Sequence, residues 1–139
     1  MCLLARLEHW DAQTIVCCAT SHRDAANPLR TASGLLAPCA IEYAAQAMAL
    51  HGALIGQQAA SAANAANAAS AASPGFLASA RGVQFHRLRL DDLSGDLRIE
   101  AQRQAGDAQQ ILYHFRVQHA GQPVAEGRAA VVLNTPLAA

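Results

Sequence analysis

Between Pro38 and Gln58 the chain sets Ile41, Ala44, Ala45, Met48, Leu50, Ala53 and Leu54 at helical spacing in an alanine-rich background. This one segment limits the available folds more than any other. Pro38 suits the first turn, where its missing N–H would have had no intrahelical partner. Few charges interrupt the segment, so its apolar character runs round most of the circumference. The helix is expected to be buried on several sides rather than along a single stripe, as a central helix.

The second half of the chain supplies the wrapping. Residues 82–90, 96–103, 109–119 and 123–133 alternate apolar and polar types and are divided by Asp-Leu-Ser-Gly, Ala-Gly-Asp and Ala-Gly-Gln. That pattern predicts four antiparallel strands in meander order. In the third of them Ile111, Tyr113, Phe115 and Val117 share one face, and Leu112, His114, Arg116 and Gln118 the other. A further strand is predicted over residues 13–20, rich in β-branched and small apolar types, while residues 2–9 read equally as strand or helical turn. From Ser21 to Ser33, Asp24, Asn27, Pro28 and a closing Ser-Gly mark a loop. Residues 59–74 repeat alanine with Ser and Asn and are read as a low-complexity linker inside a single domain spanning 1–139. A strand, a loop, one long buried helix and a run of antiparallel strands make an α+β plan with the sheet curled around the helix, which is the hotdog arrangement.

With 139 residues, 53% of them apolar, the chain can build one sizeable core. Ten basic residues balance ten acidic ones, which argues against nucleic acid or an anionic membrane surface as the partner. Glu42, Gln46, His51 and Gln57 interrupt the longest apolar stretch well short of the ~20 residues a bilayer span needs. Cys2, Cys17, Cys18 and Cys39 show neither a disulfide framework nor zinc-site pairing, and the start of the chain does not read as a signal peptide. Reduced thiols in a soluble cytoplasmic protein are the expectation. His9, His51, His86, His114 and His119 are scattered without ligand spacing, so no metal is expected. No phosphate loop, Gly-x-Ser-x-Gly elbow or dinucleotide fingerprint occurs, and nothing calls for a cofactor.

The chemistry-bearing feature is the turn from Gly34 through Cys39 that feeds the helix and sets Glu42 near its first turn. A carboxylate there sits at the positive end of the helix dipole. The dipole favours its charged form and burial its neutral form, so both protonation states are open, as is the plain reading that Glu42 assists the helix start. Gln46 lies one turn along on the same face, within reach of Glu42 or of a ligand. His22, in the loop before the helix, would add a second proton-transfer group if held against Glu42. Asn27 and Cys39 join Gln46 as candidate substrate contacts; Cys39 near a helix N-terminus also reads as a small packed thiol.

The segment Ile41-Glu42-Tyr43-Ala44-Ala45-Gln46-Ala47-Met48 resembles the helix start of the hotdog 3-hydroxyacyl-[acyl carrier protein] dehydratases. It most resembles their divergent branch in aryl-polyene and xanthomonadin-type pigment clusters, where an Ile-Glu-Tyr-x-Ala-Gln-Ala helix follows a loop like Ser21–Arg30. The likeness runs to about Leu133. It implies elimination of water from a 3-hydroxyacyl thioester on acyl carrier protein or coenzyme A. Glu42 would be the acid, His22 the base and Gln46 a positioning group, with helix-start N–H groups polarising the thioester carbonyl. It also implies sites shared between two subunits, hence a homodimer or higher homo-oligomer. Better-known members carry His-Phe-Pro-Gly close before the helix, whereas His22 lies further upstream with no Phe-Pro-Gly after it. Family members also carry a Pro-His-containing lead-in before the segment that matches Met1–Leu4, and without it a weaker activity is expected. A hotdog thioesterase and a noncatalytic acyl-thioester-binding subunit are the alternatives that remain open.

Overall fold

The computed structural model describes residues 2–62, 75–107 and 109–133. One helix, α1 (Ala40–Ala62), lies against a six-stranded antiparallel sheet of β1 (Arg6–Trp10), β2 (Thr14–Ala19), β3 (Gly75–Phe85), β4 (Leu97–Gly106), β5 (Gln110–His119) and β6 (Gln122–Leu133). The strand order is β1-β2-β4-β5-β6-β3. This is the hotdog plan, and α1 continues through Ala62, into the stretch expected to be a linker. The rest of that stretch, 63–74, lies outside the described residues.

β5 alternates as its sequence predicts, with Ile111, Tyr113, Phe115 and Val117 buried. Among their opposite numbers across the sheet, Ile99, Ala101, Ala125, Ala129 and Val131 are buried too. The β5–β6 connection is a tight hairpin in which Ala120 (φ 50°) and Gly121 (φ 79°) both take positive φ. That geometry matches the twist of the flanking strands and strains the alanine, not the glycine.

Two expectations are corrected. The four late strands do not form a meander: β4, β5 and β6 do, but β3 crosses to the far edge and pairs with β6. Its predicted continuation leaves the sheet after His86, whose N–H still donates to Val124 O (2.8 Å), because the residues beyond are bonded elsewhere. Leu88 O accepts from Ala37 N (3.0 Å) and Leu90 N donates to Leu35 O (2.8 Å), so this segment braces the turn ahead of α1. The free edge of β2 is then open to β4. Second, among the described residues the fully buried side chains of α1 are Ala40, Tyr43, Ala44, Ala47, Met48 and His51, which form one stripe. Alanine makes the other faces apolar in composition, but it is too short to pack them within one chain.

His51 is fully buried in that stripe. Its Nε2 lies 2.7 Å from the Asp11 carbonyl and must carry the proton, so Nδ1 accepts from the Tyr113 hydroxyl at 2.7 Å. Burial lowers the His51 pKa and raises that of Tyr113 to about 12.

Candidate active site

The approach to α1 is a short 3₁₀ turn, Ala37–Cys39, that runs straight into the helix. It is held from behind by Asp91, whose carboxylate accepts from Leu35 N (3.1 Å) and from Arg89 Nε (2.9 Å). Arg89 keeps the Asp91 carboxyl at a pKa of about 2. Gly34 (φ 99°) is required at this clamp, because a Cβ there would fall on the Arg89 and Asp91 side chains.

Glu42 stands in the first turn of α1, half-buried. The N–H groups of the helix approach are already engaged: Ala37 on Leu88 O, Cys39 on Leu36 O, and Ala40 on the Ala37 and Pro38 carbonyls. Pro38 has none. The N–H groups of Ala37, Cys39 and Ala40 are therefore already bonded within the chain. The macrodipole still acts at Glu42, but these donors are bonded.

Behind Glu42, the buried Tyr43 organises the preceding loop through a directional chain. Ser21 Oγ donates to Leu3 O at 2.7 Å, so the Tyr43 hydroxyl donates to Ser21 Oγ at 2.8 Å. The Tyr43 oxygen in turn accepts from Asn27 Nδ2 at 3.1 Å. Asn27 also donates to Ser21 O (2.8 Å) and accepts from Leu29 N (2.8 Å), so both its donors hold the loop itself. Leu3 N–H donates to Gln46 Oε1 at 2.7 Å, which fixes Leu3 through both its backbone groups. Gln46, Leu4 and Leu50 then face a cavity of about 340 Å³ between α1 and the first residues of the chain. Its wall is mostly apolar, with the Gln46 amide and the Arg6 side chain as its strongly polar members.

Tyr43→Phe is expected to cost about 2 kcal/mol, since it leaves Asn27 and Ser21 with unmet polar groups in a buried place. A fall of roughly 5–10 °C in Tm, with faster proteolysis in the 21–30 loop, would be the measured signs.

His22 does not join Glu42. It sits in a 3₁₀ turn (Ser21–Arg23) and is fully buried, with Nε2 donating to Leu93 O at 3.0 Å. Nδ1 meets no hydrogen-bond partner among the described residues, and His22 is not among the residues lining the cavity beside Gln46. Desolvation lowers its pKa, so it is held neutral. Cys39 is half-buried and packs against the core. The sequence reading missed Tyr43 and Ser21 as organisers of the site. The Ile-Glu-Tyr motif contained the tyrosine, but its partners lie about twenty residues away and only the fold unites them.

Among curated proteins none is significantly similar to the chain. Among solved structures, the dehydratase heterocomplex ApeI:P from Xenorhabdus doucetiae matches with a TM-score of 0.78 at 20% identity, covering 97% of this chain and 84% of that one. A thioesterase mutant from Staphylococcus aureus matches at 0.61 and 11% identity over 94% and 93% of the two chains. A Haemophilus influenzae thioesterase matches at 0.62 and 10% over 95% and 79%. These likenesses establish the fold. The sequence itself matches the family described as ApeP dehydratase over residues 1–138. On that match the chain belongs to the ApeP-like family of dehydratases.

Proposed function

We propose that the chain eliminates water from a 3-hydroxyacyl thioester borne by acyl carrier protein, with Glu42 as the catalytic carboxylate. The observation that carries this is the half-buried Glu42 at the start of the central helix of a dehydratase-family hotdog fold. A carboxylate in that place can take or give one proton of the elimination.

His22, held on the Leu93 carbonyl, serves in this reading to fix the loop. The second proton-transfer group then comes from another hotdog chain. β3 supports such pairing: it is an edge strand over Gly75–Phe85, with Leu77 and Phe85 exposed. The related X. doucetiae protein is in a heterocomplex, which favours a companion chain over the homodimer expected from resemblance. No helix among the described residues is long and apolar enough to cross a membrane, in keeping with a carrier-bound substrate met in solution.

The test is mass spectrometry of 3-hydroxyacyl-acyl carrier protein incubated with the chain, alone and with a hotdog companion. Loss of one water from the acyl group is expected. Release of the free acid instead would make the chain a thioesterase, and binding without turnover in both arms would leave it a noncatalytic subunit.

A further inference from the structure

The outer face of the sheet, turned away from α1, carries an arrangement the proposed reaction does not use. Register sets Gln102, His114, Arg128 and Arg81 in one row across β4, β5, β6 and β3. Neighbouring strands lie only ~4.8 Å apart. Arg128 and Arg81 therefore stand directly opposite one another, an arrangement of like charges that is destabilising.

The adjacent row shows what charge balance looks like on the same face. There Glu100, Arg116, Glu126 and Gln84 follow in order, and Arg116 Nε lies 3.7 Å from Glu126. Glu126 is thus engaged by Arg116, and no carboxylate stands in the Arg128–Arg81 row. On the other side, Ala130 is paired with Ser79 and with Leu112. The two small side chains leave a depression among longer neighbours. A cavity of about 530 Å³ opens there, with Arg81, Arg128, Gln104, Gln110 and Ser79 in its wall. Each of these side chains can donate a hydrogen bond, and two of them are permanently cationic.

We propose that this cavity binds a phosphate group, with Arg81 and Arg128 as its cationic anchors. A dianion between them turns their mutual repulsion into attraction, and guanidinium groups match phosphate oxygens two at a time. Such a group is carried on the pantetheine arm of carrier thioesters and also occurs as free phosphate. The proposal is independent of the dehydration reading, because its test reads binding and needs no turnover.

Isothermal titration of the whole chain with 4′-phosphopantetheine, pantetheine and inorganic phosphate distinguishes these sources. Phosphopantetheine is expected to bind saturably and pantetheine at least tenfold more weakly, with affinity falling as salt rises. Arg81→Gln and Arg128→Gln should each weaken binding tenfold or more. Arg98→Gln, on the same face but paired with Glu100 at 3.8 Å, should not. The Tm of Arg128→Gln should equal or exceed that of the parent, since one of two repelling charges is gone; a merely structural arginine would lower it. Inorganic phosphate binding as tightly as phosphopantetheine would assign the site to free phosphate, and weaker binding would assign it to the pantetheine arm. Pantetheine binding as tightly as its phosphate, no saturable binding at millimolar concentration, or an equal loss in Arg98→Gln would overturn the proposal.

Discussion

Replacing Glu42 by glutamine is expected to slow dehydration of a 3-hydroxyacyl thioester by roughly 10²–10⁴-fold, the usual worth of a positioned general acid or base. The substitution keeps the shape and half-burial of the side chain and removes only its ability to carry a proton. Loss of the negative charge at the helix start should cost no more than about 0.3–1 kcal/mol, so the fold survives. Glu42→Ala, in a residue type that favours helix, should be equally inactive and equally folded. The comparison with His22→Gln sorts the two candidates. If His22 only holds its loop on Leu93 O, turnover should fall in step with the folded fraction, whereas Glu42→Gln loses turnover with folding intact. Unchanged dehydration in Glu42→Gln would remove the carboxylate from the mechanism.

Acidification should begin to destabilise the protein at a pH above that at which its carboxylates titrate. His22 and His51 are both fully buried, and desolvation lowers the pKa of each. Each therefore stays neutral in the folded chain at a pH where it would take up a proton when unfolded. Their contribution to stability is fully present above the unfolded value of ~6.5 and is lost as pH falls below it, down to the folded pKa. Within that window stability falls with pH, by no more than the one-proton limit of about 1.4 kcal/mol per pH unit for each histidine. The Asp91 carboxyl, held at about 2, and the lowered Asp11 and Asp107 carboxyls act only below pH ~4. Urea melts between pH 5 and 8 should show this slope. His51→Gln, whose amide can still donate to Asp11 O and accept from Tyr113, should halve it. A flat profile across that range would mean that neither histidine is kept neutral by folding.

What could be read from the sequence was local. The spacing of Ile41, Ala44, Ala45, Met48, Leu50, Ala53 and Leu54 marks α1, and the alternation from Ile111 to Val117 marks β5, because each depends only on period. The path of β3 is not encoded that way. Alternation says that residues near Gly82 form a strand but not that Arg81 will face Arg128 rather than a residue of β4. That choice is made by Leu88 and Leu90, which bond to Ala37 and Leu35 and so draw the chain across the end of the sheet. The site divides similarly. Glu42 was visible because a helix start is a local feature. His22 was not placed, since its partner, Leu93, is distant in sequence and a backbone carbonyl leaves no mark there. Asn27 was expected to meet substrate, but its two donors are directed to Ser21 and Tyr43.

Leu3 has a consequence for how the molecule breathes. Its N–H is held by Gln46 on α1, and its carbonyl by Ser21, the end of the chain that includes Tyr43 and Asn27. The first residues of a domain ordinarily fray at almost no cost, but here fraying would break contacts to the helix and to the loop together. The opening segment, the 21–27 loop and the second turn of α1 thus behave as one cooperative unit, with a shared opening free energy. A perturbation at Leu3 is felt at Tyr43, next to Glu42 in the helix, and at Gln46, one turn beyond it, without any of them moving far.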